Sequence, residues 1–218
     1  LKDLNFKILK GETIGIIGGT GSGKSTLVHL IPRFYDVTQG QILIKGNPIQ
    51  DYPLKGLREM IGIVPQQAVL FTGTIRENIQ WGKKDASDSE IKEALRIAQA
   101  TFVDELDEGL DSMIHQGGKN LSGGQRQRAL VKKPEILILD DSASALDFAT
   151  DAALRKALKT LDSTTIIVSQ RVSSLMHADK ILVLSHGELV GMGNHQELLE
   201  TCSLYQEIAK SQLSEEVA

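Results

Sequence analysis

The stretch Gly18-Gly19-Thr20-Gly21-Ser22-Gly23-Lys24-Ser25-Thr26 constrains this chain more than any other. It follows the apolar run Thr13-Ile14-Gly15-Ile16-Ile17 and precedes Leu27-Val28-His29-Leu30-Ile31, so a strand turns into a helix at this point. Gly18, Gly23, Lys24 and Ser25 fill the spacing G-x-x-x-x-G-K-[S/T], in which glycines let successive backbone N–H groups curl inward around an anion. Lys24 would reach the outer phosphates of a nucleotide, and Ser25 would offer its hydroxyl to Mg²⁺. The competing reading is a Gly-rich turn with no ligand. From average residue usage a chance match is on the order of one in a hundred, and the strand and helix flanks lower that further.

With 218 residues and 41% hydrophobic content, the chain can bury one good core, or one core and a smaller subdomain. A single cysteine, Cys202, excludes an internal disulfide framework. No apolar run approaches the roughly 18 residues of a spanning helix, and LKDLNFKILKGE is too charged for a signal peptide. The expectation is a soluble piece of something longer, since the chain opens on Leu1 inside an apparent strand. A net charge of −4 and 4% aromatic residues argue against a nucleic-acid footprint.

Taken in order, Leu4, Phe6 and Ile8 alternate with polar neighbours as in a half-buried strand. Gln41 to Lys45 reads as a strand closed by a turn at Gly46-Asn47-Pro48, and Ile61 to Val64 as a further strand ended by Pro65. From about Ala68 the texture turns helical. Ser87-Asp88-Ser89-Glu90 caps a helix whose inner face carries Ile91, Leu95 and Ala98. Strands return at Glu135 to Asp140 and Thr164 to Val168, near-continuous apolar runs of the kind buried on both faces of a parallel sheet. Asp147 can cap a helix to about Thr160, Ser185-His186-Gly187 reads as a hairpin turn, and helices from about Asn194 and Ser203 end the chain. The expected fold is α/β: a P-loop core with a mixed, largely parallel sheet flanked by helices, N-terminal antiparallel strands, and an inserted helical subdomain. The core is assigned to residues 1–67 and 134–218 and the insertion to 68–133.

Two carboxylates end the run Ile136 to Leu139. An acid at the end of an apolar strand is the usual partner for Mg²⁺ held by a phosphate-loop hydroxyl, which makes Asp140 the metal candidate beside Ser25. Asp141 is placed to take a proton from an attacking water, although helix capping or solvation would also explain it. His29, His177, His186 and His195 show no metal-ligand spacing and read as surface or turn residues.

With these motifs, and with Leu121-Ser122-Gly123-Gly124-Gln125 (LSGGQ), the chain resembles the nucleotide-binding domain of an ATP-binding cassette (ABC) exporter over its whole length. The resemblance implies ATP and Mg²⁺ as ligands, held by residues Gly18 to Thr26. It makes Gln66 a metal-touching glutamine that couples to transmembrane segments, Ser144 to Asp147 the D-loop, and Gln170 the occupant of the switch-histidine position. It implies a head-to-tail pair in which Ser122, Gly123, Gly124 and Gln125 of one domain close over the phosphates held by the other. The partners are then a second such domain and a transmembrane domain of the same full-length chain, at the cytoplasmic face of the cell membrane. The family's adenine-stacking aromatic would precede Leu1.

Three departures qualify the resemblance. Asp141 stands where exporters usually carry glutamate, withdrawing the carboxylate by roughly 1.5 Å, and about 1 Å of misplacement can cost on the order of 10²-fold in rate. Gln170 can donate one hydrogen bond but carries no charge where the family has histidine. His115-Gln116-Gly117-Gly118 replaces a usually acidic segment. Lys24, Asp141 and Gln170 are thus the residues of the chemical step, two of them weakened. The expectation is one half of a heterodimeric exporter, its own site degenerate and its LSGGQ completing the partner's. A homodimeric exporter, a cassette ATPase outside transport and a nucleotide-dependent dimerisation module are the alternatives. The family also has about five more residues between Arg128 and Ala129, so either the helix after LSGGQ is short by more than a turn or a stretch is missing.

Overall fold

The computed structural model describes residues 1–66, 71–114, 134–141 and 148–215. The chain divides into two compact units, one comprising Leu1–Gly62, Pro134–Ser144 and Ser163–Ala218, the other Ile63–Lys133 and Ala145–Asp162. LSGGQ, the segments His115–Gly118 and Ser144–Asp147, and the junction of Arg128 with Ala129 lie outside the described residues.

In the first unit the apolar runs form the middle of a sheet, as their composition demands. Strands β1 (Thr13–Ile17), β4 (Ile61–Val64), β7 (Ile136–Asp140), β8 (Thr164–Val168), β9 (Lys180–Ser185) and β10 (Glu188–Gly193) line up in the order β10-β9-β1-β8-β7-β4. β1 pairs in parallel with β8 and β9, β7 pairs in parallel with β8, and β10 pairs antiparallel with β9. Ile14, Ile16, Ile17, Leu137, Ile138, Ile181, Leu182, Val183 and Leu184 are all at most 1% exposed. A strand buried on both faces has no polar side to present, which is why these segments do not alternate. β10 does alternate, leaving Val190 and Met192 half-exposed. His186 and Gly187, at φ 48° and 82°, make the two-residue turn whose twist suits a hairpin.

The amino-terminal antiparallel strands form only in part. Leu4, Phe6 and Ile8 are half-buried between exposed neighbours, so the alternation identified their faces, but residues 1–10 contain no ladder. The expected strand from Gln41 to Lys45 shortens to β2 (Leu43–Ile44), which pairs antiparallel with β3 (Asn47–Pro48). The turn is at Lys45-Gly46 rather than Gly46-Asn47-Pro48, because these two residues take the left-handed conformation, φ 52° and 82°, that a tight hairpin needs.

In the second unit, two helices start on reciprocal caps. Thr74 and Glu77 cap Ile75–Gln80, and Ser87 and Glu90 cap Asp88–Ile97 as the spacing predicts. Their inner faces bring Ile75, Ile91 and Leu95 against Ala100, Val103, Leu110 and Ile114. The unit is not purely helical: β5 (Gly73–Thr74) pairs with β6 (Met113–Ile114). Buried Asn78 stands in for further backbone pairing, accepting from Phe71 N at 2.8 Å and donating to the carbonyls of Phe71 and Thr74, each at 2.9 Å.

Candidate functional site

Residues 18–26 close a loop between β1 and helix α1 (Lys24–Leu30). Two neighbours pin this loop from behind. A Cβ on Gly18 would stand 2.1 Å from the carbonyl oxygen of Leu184 on β9, so only glycine fits there. The N–H of Gly187, in the β9–β10 turn, donates to the carbonyl of Ser22 at 3.1 Å. Gly19, Thr20 and Gly21 form the exposed rim of the loop, and Ser25 and Thr26 are also open to solvent. The hydroxyl of Ser22 is buried with no hydrogen-bond partner among the described residues.

Lys24 folds over its own loop. Its Nζ donates to the carbonyls of Gly18 at 2.8 Å and Gly19 at 2.9 Å, and the residue is only 8% exposed. Burial pushes its pKa below the ordinary value, against the pull of the Asp141 and Asp140 carboxylates. An ammonium held by two neutral carbonyls in a partly dry site has more to gain from an anion than one already paired with a carboxylate.

β7 delivers the carboxylates. Asp140, opposite Val168 in the ladder with β8, is 4% exposed, and its Oδ1 accepts from Ser25 Oγ at 3.0 Å. Asp141 follows with its backbone left-handed, φ 47°, and its N–H donating to Val168 O at 2.9 Å. Burial raises the pKa of its carboxyl; Lys24 opposes that and the charge of Asp140 adds to it. Gln170 Nε2 stands 3.4 Å from Asp141 Oδ2, a long hydrogen bond. Lys24, Ser25, Asp140, Asp141 and Gln170 therefore converge. Gln66 is exposed just beyond β4 and belongs to the second unit.

One residue at the site went unrecognised in the sequence. His29 is half-buried, not a plain surface residue, with Nε2 3.6 Å from Asp140 Oδ2 and its ring tilted against Phe34. The signal was its spacing: Ser25 and His29 are four apart and share one face of α1, which turns both toward Asp140.

Residues 1–144 match the family model described as ABC transporter. The chain belongs to the ABC transporter family. It is 49% identical over 99% of its length to the uncharacterized ABC transporter ATP-binding protein YfiB of Bacillus subtilis (strain 168), covering 39% of that protein. It is 45% identical over 95% of its length to a putative multidrug export ATP-binding/permease protein of Staphylococcus aureus (strain NCTC 8325), covering 37% of it. Its fold superposes, with a TM-score of 0.90 and 39% identity, on the structure of a bacterial Atm1-family ABC exporter with ATP bound, over 95% of this chain and 38% of that one. The chain thus spans under two-fifths of the length of each of these relatives.

A divalent cation fits the donor set. The Ser25 hydroxyl and the Asp140 carboxylate are hard oxygen ligands 3.0 Å apart. Among the described residues no cluster of three or more His, Cys, Asp or Glu could hold a metal alone. A cation here would take its other ligands from phosphate and water, the arrangement Mg²⁺ favours.

Proposed function

We propose that this domain binds Mg²⁺-ATP in the loop 18–26 and pairs head to tail with a second, non-identical ABC domain. In this reading it drives export through an attached transmembrane portion, at the cytoplasmic face of the membrane; among the described residues no helix is long and apolar enough to cross one. The observation that carries the reading is the Asp141–Gln170 contact at 3.4 Å. Binding groups are complete, while the two groups that act on an attacking water are the shorter acid and an uncharged amide.

Lys24 exchanges its hold on the Gly18 and Gly19 carbonyls for the outer phosphates, so the ion pair forms without first breaking another. Ser25 and Asp140 would hold Mg²⁺, which would screen the charge of the phosphates. Asp141 is the acceptor for the proton of water. Its raised pKa suits a base, but the short side chain and its long bond to Gln170 leave it poorly aimed, and small misplacements are costly. ATP therefore binds well and turns over slowly here. Ser122, Gly123, Gly124 and Gln125 complete the site of the partner domain, where turnover is fast.

A homodimer with a slow aspartate base is the second reading, favoured by the place of Asp141 beside Lys24. The test measures ATP turnover of the full-length protein alone, of its Asp141→Glu, Gln170→His double variant, and of a mixture with the partner. Slow turnover alone, raised by the double variant or by the partner, is expected; brisk turnover by the unmodified protein alone rejects the degenerate site.

A further inference from the structure

The carboxy-terminal helix Ser203–Glu215 packs on the core through Tyr205, 0% exposed, and Ala209, 5% exposed. Four and then three residues apart, Tyr205, Ala209 and Gln212 occupy one stripe of the helix. An apolar residue is the expected occupant of the third place, because a polar side chain on an inward stripe costs free energy unless both its ends are bonded. Gln212 meets that condition. Its Oε1 accepts from Val172 N at 2.8 Å, and its Nε2 donates to Gln170 O at 2.6 Å. The partners themselves decide which end is which, since a backbone N–H can only donate and a carbonyl only accept.

The segment gripped in this way carries Gln170, whose side-chain amide reaches Asp141. One side chain from the last helix thus bridges the backbone on both sides of Arg171, immediately after β8 ends. The parallel ladder of β8 with β7 stops at Val168 and Asp140, so it does not extend to Gln170. We infer that Gln212 is a positioning residue: it fixes the Gln170 segment against the nucleotide site, so the carboxy-terminal helix controls how long that site keeps its nucleotide. Gln212 makes its hydrogen bonds to the backbone of Val172 and Gln170. It acts through Gln170, and the inference rests on the reading that Gln170 faces the nucleotide.

The test uses the full-length protein with its partner in lipid nanodiscs and follows release of a fluorescent, non-hydrolysable ATP analogue with Mg²⁺ by stopped flow. Gln212→Ala is expected to speed release about tenfold, the factor that one or two net hydrogen bonds supply. Gln212→Glu keeps the acceptor for Val172 N but loses the donor to Gln170 O, and falls between. Gln170→Ala also speeds release, and adding Gln212→Ala to it changes the rate by less than about twofold, the non-additivity of two residues acting as one unit. Gln206→Ala removes a different bond of the same helix, to Leu199 O at 2.8 Å, and leaves release unchanged. Equal effects of Gln212→Ala in both backgrounds, no effect in either, or the same acceleration from Gln206→Ala overturns the inference. An unchanged rate in Gln170→Ala alone overturns it by removing the role of Gln170. Because the analogue is not hydrolysed, each of these results is independent of whether the site is slow or fast in turnover.

Discussion

Gly18→Ala is the sharpest test of how the phosphate loop is held. The new Cβ would stand 2.1 Å from Leu184 O and 2.7 Å from Ser22 Oγ. The Ser22 side chain can rotate away; the carbonyl cannot, since β9 lies between β1 and β10 with Leu184 paired to Leu189 and 0% exposed. Opening the contact to 3.0 Å, the least that real Cβ atoms show, requires a shift of about 0.9 Å, and the loop is the part free to make it. Overpacking of this kind costs about 1–3 kcal/mol of stability. A shift near 1 Å in the groups that cradle phosphate is expected to weaken Mg²⁺-ATP binding by roughly 10- to 100-fold. Isothermal calorimetry on the full-length protein reads the affinity, and thermal unfolding without nucleotide reads the stability. Gly19→Ala is the control: a Cβ there has nothing within 4 Å, so unfolding is expected to change by no more than about 0.5 kcal/mol. Gly21→Ala meets open space but at φ +77°, and is expected to cost about 1 kcal/mol. Wild-type melting and affinity in Gly18→Ala, or an equal loss of stability in Gly19→Ala, would refute the steric argument.

Thr74→Ala removes one half of the capping box with Glu77 and is expected to lower stability by about 1 kcal/mol, seen as a lower urea midpoint with unchanged slope. Burial pushes the Tyr205 hydroxyl up to about 12, from an ordinary value of 10.0. Above pH 10 the unfolded chain gives up this proton while the folded chain keeps it to about 12, so stability falls with rising pH across that window. Tyr205→Phe loses the bond to His195 Nδ1, 2.7 Å long, and about 1 kcal/mol at neutral pH, but unfolding curves recorded from pH 7 to above pH 10 are expected to show a flatter alkaline limb.

Apolar run length and the G-x-x-x-x-G-K-S spacing made the sheet and the loop legible, because both depend on local composition. The parallel core strands, the Ser87 cap and the His186-Gly187 turn could all be read from neighbouring residues. Pairing between short segments could not. Leu4, Phe6 and Ile8 have the alternation of a strand, yet a ladder needs a partner in register, which a pattern does not supply. Lys45 takes a left-handed backbone that nothing in a lysine side chain signals. At the site, Asp140, Asp141 and Gln170 were visible as strand-end residues, while His29 and Gln212 were not, since each matters through a contact distant in sequence. Their common signal is helical spacing from a residue already placed, four after Ser25 in one case and seven after Tyr205 in the other.

The backbone at Asp141 also bears on what glutamate could restore. At φ 47° the residue is left-handed, a conformation Asp tolerates through its short polar side chain and Glu tolerates less. Asp141→Glu therefore lengthens the reach of the carboxylate while adding strain on the order of 1 kcal/mol, and the two changes oppose each other in the rate. The N–H of Asp141 is held by Val168 O, so the backbone cannot relax without loosening the end of β7. A histidine at 170 would give the longer carboxylate a cationic partner in place of the 3.4 Å amide contact. The gain in turnover from Asp141→Glu and Gln170→His together is accordingly expected to exceed the product of the two single gains. Independent effects would mean that Asp141 and Gln170 do not act as a pair.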